Sequence, residues 1–173
     1  MTMQQNRTFR LNVVDVHGEV YTGMARFVAV PAELGEIGIL PGHAPLLSGL
    51  RPGELRITQP DGQTQILFLE GGMLEIQPDI VTILADASLR IADIDIHESR
   101  ERIKDAQSTL AKRAVPAMDF ARAELELQRE VAKLHAYQRY QIQEQRGGGT
   151  GNYHWERPAL QNVPKVNVQE LED

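Results

Sequence analysis

The hydrophobic period of the chain changes once, at Asp95, and that change limits the folds open to it. Before Asp95 apolar residues recur at every second position; after it they recur at helical spacing. Phe9-Arg10-Leu11-Asn12-Val13 and Glu54-Leu55-Arg56-Ile57-Thr58 alternate as strands with one buried face do. "QPDGQ", from Gln59 to Gln63, sets Asp61-Gly62 between two such runs, a tight-hairpin signal because both residues tolerate positive φ. "EGG" at Glu70 to Gly72 and "QPD" at Gln77 to Asp79 punctuate two further strands. Val81-Thr82-Ile83-Leu84 is apolar on both faces and reads as a central strand. Several short strands at this spacing predict an all-β sandwich or barrel over residues 1–94. Hydrophobic residues make up 42% of the chain but aromatics only 5%, so aliphatic side chains must fill the core.

Asp95-Ile96-His97-Glu98 has the D-x-x-E form of a capping box. Ile96, Ile103, Ala106 and Leu110 then share one helical face. Pro116 breaks this helix, and Asp119 is placed to cap a second one from Phe120, with Phe120, Ala123, Leu127, Val131 and Leu134 as its apolar stripe. A short connection predicts an antiparallel helical hairpin over residues 95–146. Each stripe is narrow, so the hairpin needs the sandwich or another protein to cover it, and mobility is expected there. Beyond it, "GGGTGN" and the aperiodic residues after it make 147–173 a flexible tail, in which Tyr153 and Trp155 offer a segment that could dock on a partner.

Little here can do chemistry. The absence of cysteine excludes disulfides, thiol catalysis and cysteine-ligated metals. The histidines (His17, His43, His97, His135 and His154) have no metal-ligand spacing, and no nucleophile elbow occurs. "GGGTGN" lacks the Lys-Ser/Thr that a phosphate loop needs. Asp95 and Glu98 are better explained by a helix cap than by an acid pair. No catalytic residue, metal or cofactor is therefore expected. The net charge is −6. Residues 1–94 carry six Lys/Arg against eleven Asp/Glu, which argues against a nucleic-acid surface. The N-terminus does not read as a signal peptide, and no apolar run approaches the ~18 residues of a membrane span. Arg122, Arg129, Lys133 and Arg139 on the second helix admit two readings. They form a solvated face balanced by Glu124, Glu126 and Glu130, or a cationic face that meets an acidic partner.

Three stretches carry a resemblance. "GEIGILPGHAPLLSGLRPGELRI" (Gly35 to Ile57), "GGMLEIQPDIVTILAD" (Gly71 to Asp86) and "MDFARAELELQREVAKL" (Met118 to Leu134) resemble the epsilon subunits of bacterial rotary, proton-translocating ATP synthases, over residues 8 to about 142. The resemblance implies a non-catalytic rotor subunit on the cytoplasmic face of the membrane. Its sandwich would clamp the gamma subunit and sit on the c-ring, and its hairpin would either lie on the sandwich or rise into the alpha/beta head and inhibit ATP hydrolysis. Glu36, Gly38, Pro41, Gly42 and His43 are then expected at the c-ring and gamma interface, with Glu36 as charge partner of a basic ring residue. Arg122, Arg129, Lys133 and Arg139 become the inhibitory basic face. Some members bind ATP on the folded hairpin through I-D-x-x-R-A and two arginines four apart. Here Asp95, Arg129 and Lys133 match in part, but Glu98 stands at the arginine position and Ser99 at the alanine. A carboxylate there would repel phosphate, so weak or absent ATP binding is expected. The tail departs from the family pattern. The competing reading is a free-standing adaptor with a sandwich recognition domain and a partner-binding helical arm.

Overall fold

The computed structural model describes residues 7–145. Ten strands form one curled sheet: β1 Phe9–Asp15, β2 Gly18–Ala25, β3 Phe27–Ala32, β4 Gly35–Ile39, β5 Leu46–Leu50, β6 Gly53–Thr58, β7 Thr64–Leu69, β8 Gly72–Ile76, β9 Ile80–Ala85 and β10 Ser88–Arg90. The strand order is β10-β7-β6-β3-β5-β8-β9-β1-β2, with β4 on β3. Every pairing is antiparallel except β1 with β9. The sheet folds over a core that includes Leu11, Val13, Val28, Ile39, Leu55, Leu74 and Ile83, all at most 0% exposed. That aliphatic filling follows from the low aromatic content.

The period-two reading holds for β1 and β6, whose inward residues Leu11 and Val13, and Leu55 and Ile57, are buried. Two sequence expectations need correction. Val81 to Leu84 lies in β9, central between β8 and β1, but only one of its faces is buried: Leu84 is 56% exposed. The β6–β7 connection is also longer than a two-residue turn. Gly62 N–H donates to Gln59 O (3.0 Å) and Gln59 N–H to Gln63 O (2.8 Å), and Gly62 alone takes positive φ, at 88°. This is the pattern of a three-residue loop ending in a left-handed glycine, so Asp61 needs no unusual backbone.

A single 3-10 turn, Ile91–Asp93, leads into α1, Ile96–Leu110, and α2, Ala117–Gln145. Asp95 caps α1 as expected, its Oδ1 accepting from Glu98 N–H at 3.0 Å. α2 begins earlier than the sequence suggested. Pro116 O accepts from Phe120 N–H at 3.0 Å, so Asp119 lies in the first turn and does not cap it. Phe120 is 46% exposed and leaves the expected stripe, whereas Ala123 and Leu134 are buried in it. The helices pack as an antiparallel hairpin, and α2 runs on past α1 to lie on the outer face of β6 and β7. There Phe68, Ile91, Ile94 and Ala136 form a second buried cluster, flanked by Ile66, Leu89, Ile96, Ala132, Tyr137 and Tyr140. β7 is thus covered on both faces, which is why Ile66-Leu67-Phe68-Leu69 is continuously apolar.

Candidate functional site

Two surfaces stand out, one at the helix–sheet contact and one at the β4–β5 end of the sandwich. At the contact, three of the four cations expected on the second helix meet carboxylates. Lys133 Nζ lies 2.8 Å from Glu70 Oε1 and 2.9 Å from Glu130 Oε1. Arg129 Nη1 lies 3.4 Å from Glu70 Oε2. Arg139 Nε donates to Glu54 Oε1 at 2.9 Å. Glu130 and Lys133 are 1% and 9% exposed, Glu54 is 7%, so these are partly dehydrated pairs. Burial pushes the Lys133 ammonium down, but the Glu70 and Glu130 carboxylates beside it outweigh this and hold it above the ordinary lysine range. Arg102 on α1 joins the network through Glu98 (2.6 Å), Glu126 (3.3 Å) and Glu130 (4.0 Å), and its pKa rises, first through the Glu98 hydrogen bond. Arg122 takes no part; it lines an open groove at the turn end of the hairpin with Arg102, Asp105, Asp119, Glu126 and Arg129.

Asp95, Arg129 and Lys133, the residues that match the ATP pattern in part, are each engaged within the chain, although Arg129 Nε is buried without a hydrogen-bond partner among the described residues. Asp95 caps α1, Lys133 lies between two carboxylates, and Arg129 is paired with Glu70 and with Glu126 at 3.8 Å. Glu98 binds Arg102, and Ser99 is buried. Among the described residues no three His, Asp or Glu side chains gather as a metal site, and no helix is long and apolar enough to cross a membrane.

At the sandwich end, Glu36 and Gly38 lie in β4, while Pro41, Gly42 and His43 form the turn that follows it. His43 N–H donates to Leu40 O at 3.1 Å, with Pro41 and a left-handed Gly42 (φ 80°) between them. Proline then glycine at these two places is the type II turn pattern, so the two residues fix the loop shape. The His43 ring Nδ1 is 2.7 Å from Ala44 O. Gly38 packs under Phe27, whose ring would lie 3.1 Å from an added Cβ. Glu36 is half-exposed and already held: Arg56 Nη2 donates to its Oε1 at 2.6 Å. Sequence reasoning missed Glu54, Arg56, Glu70 and Arg102. A carboxylate on a strand shows no mark of a helix that will cover it, and only the i,i+4 spacing of Glu98 and Arg102 was there to be read.

Among the described residues, no helix lies on the outer face of β5, β8, β9 and β1. Met73 pairs with Leu84, and Leu84 with Val14, giving an apolar row across three strands on that face. Met73 is 43% exposed, and Leu47 on β5 is 67% exposed.

The family of ATP synthase delta/epsilon chain beta-sandwich domains matches residues 8–91. An ATP synthase epsilon chain of Acidithiobacillus ferridurans is 46% identical over 136 residues, which is 79% of this chain and 95% of that one. One from Nitrosospira multiformis is 44% identical over 131 residues, covering 76% and 94%. Among solved structures, a chain of the Euglena gracilis mitochondrial ATP synthase, determined by cryo-EM as OSCP/F1/c-ring, shares the fold. Its TM-score is 0.68 at 17% identity, covering 75% of this chain and 81% of that one. With the sandwich, the docked hairpin and relatives matched over nearly their whole length, the chain belongs to the ATP synthase epsilon chain family.

Proposed function

We propose that the chain is a non-catalytic rotor subunit that passes torque between the c-ring and the catalytic head, and that its hairpin regulates ATP hydrolysis. The observation that carries the reading is the apolar row of Met73, Leu84 and Val14, uncovered among the described residues, on the same sandwich as a β4–β5 turn shaped by Pro41 and Gly42. A monomer gains nothing by exposing such a row; a face that beds against a helical gamma subunit does. The turn made by Pro41 and Gly42 suits a contact that must carry load without yielding. Gamma and the c-ring are the partners proposed for these two surfaces, at the cytoplasmic face of the membrane as a peripheral subunit. The docked hairpin is the resting position. Raised into the alpha/beta head, it would present Arg129, Lys133 and Arg139 to acidic surfaces there.

Co-purification of the chain with gamma and the c-ring tests the first part. Loss of both partners on Leu84→Asp, with the sandwich still folded, is the expected result; a chain that binds neither partner unaltered is a free-standing adaptor. ATP hydrolysis by the whole complex tests the second. Truncation after Ala92 removes the hairpin and is expected to raise hydrolysis, and no change would leave a purely mechanical subunit. Glu36→Lys replaces a ring-facing carboxylate and also sets a cation against Arg56. A rim pair contributes only ~0–1 kcal/mol, so weakened proton pumping at unchanged hydrolysis is expected, not its loss. Because Arg129 and Lys133 are already paired to glutamates, ATP is expected to bind the isolated chain weakly or not at all, as titration calorimetry would show.

A further inference from the structure

The hairpin contact and the β4 rim are joined by an unbroken line of charges. Arg139 on α2 donates to one oxygen of Glu54 (2.9 Å), and Arg56 holds the other (3.4 Å). The second amino group of Arg56 reaches Glu36 at 2.6 Å. Glu54 is the buried member, its side chain 6% exposed, while Arg56 and Glu36 are 27% and 37% exposed. Glu54 and Arg56 point to the same outer face of β6, because they are two residues apart and pair with Phe68 and Ile66 beneath α2. Arg56 therefore divides itself between two carboxylates, one of which it shares with Arg139.

We propose that this relay couples the docking of the hairpin to the availability of Glu36. With α2 docked, Arg139 satisfies one oxygen of Glu54, and Arg56 is free to hold Glu36. With α2 away, Glu54 loses Arg139 and the cover of the helix and keeps Arg56 as its neighbouring cation among the described residues. Arg56 turns to it and Glu36 is released. Thermodynamic linkage makes the coupling reciprocal. A cation outside the chain that takes Glu36 sends Arg56 back to Glu54, weakens the hold on Arg139 and favours undocking. The state of the hairpin would thus be sensed at the β4 rim, and contact at the rim would loosen the hairpin. The inference rests on the reading that the hairpin leaves the sandwich, but not on which partners it then meets.

Hydrogen exchange of the α2 amides in the isolated full chain tests it. The exchange of β8 and β9 reports in the same sample that the sandwich is intact. Arg139→Gln should speed α2 exchange. Glu36→Gln, which does not touch α2, should also speed it, by about twofold to threefold, the size expected of a half-exposed pair. Arg56→Gln should slow it, since Glu54 then belongs to Arg139 alone. The decisive arm combines changes. In an Arg56→Gln background Glu36→Gln should have no further effect, whereas a plain through-space field from Glu36 would persist. Persistence, or no effect of Glu36→Gln in the otherwise unaltered chain, overturns the relay. If Arg139→Gln also leaves α2 unchanged, the failure lies with hairpin mobility itself.

Discussion

His135 is the residue most exposed to a change of pH. Its Nε2 is buried without a hydrogen-bond partner among the described residues. Burial, and after it the nearby Arg139 charge, holds its pKa below the ordinary histidine value of 6.5. A histidine with a lowered folded-state pKa contributes stability that is present above its unfolded pKa and is lost as pH falls below it. Acidification from pH 7.5 to 5.5 is therefore expected to lower the protection of the α2 amides relative to their intrinsic exchange rate at each pH, and His135→Gln to flatten that dependence; a slope unchanged in the variant would assign it to carboxylates instead. Lys133 behaves oppositely. Its raised pKa means that its contribution is complete at neutral pH and fades only as pH rises past the usual lysine range. Gly72 is constrained by space and not by charge. At φ 131° an added Cβ would overlap Leu84 O and lie 2.8 Å from Ala85 Cα. Both contacts are with backbone, which cannot swing aside. Gly72→Ala should cost about 2 kcal/mol or more, read as a lowered denaturant midpoint.

Among the elements, α1 depends most on a single side chain. Asp95→Ala removes the hydrogen bond to Glu98 N–H and should cost about 1 kcal/mol, seen as faster exchange in the first turn of α1 while β1 and β9 stay protected. That cap was legible in the sequence because a cap is a local arrangement, as is the period-two pattern of β1 and β6. The start of α2 was not. Pro116 is excluded from a helix interior but is tolerated immediately before one, so the helix starts directly after it, and Asp119 is left in the first turn, where a carboxylate still favours the helix dipole. Continuing the helical period places Phe120 on the stripe, but it is exposed. α1 ends at Leu110, too early to cover the first turn of α2. The carboxylates of the contact were illegible for a different reason. Glu54 and Arg139 are 85 residues apart in sequence and meet only once the hairpin lies on β6. Nothing in either local sequence distinguishes that glutamate from a solvated one.

For the whole molecule, the question is which forces decide where the hairpin rests. The ion pairs are numerous, but each partly exposed one contributes little. The apolar cluster of Phe68, Ile91, Ile94 and Ala136 contributes more, roughly 1.5–3 kcal/mol for each large side chain withdrawn from water. The cluster therefore holds the hairpin down, and the charges set the register in which it sits. A partner that raises the hairpin must supply binding energy of the same size, because a two-state element shifts only by the difference in affinity for its two states. Ala136→Glu acts on this balance directly. Ala136 is 0% exposed, and an unpaired carboxylate there would cost several kcal/mol on docking, while glutamate keeps the helix former α2 requires. Exchange in the isolated variant should show α2 released from an intact sandwich. In the assembled enzyme the same change should lower ATP hydrolysis, whereas truncation after Ala92 should raise it. Opposite signs from releasing the hairpin and deleting it identify an inhibitor held in reserve by its own sandwich; a rise in both would mean that the docked hairpin is itself the inhibitory form.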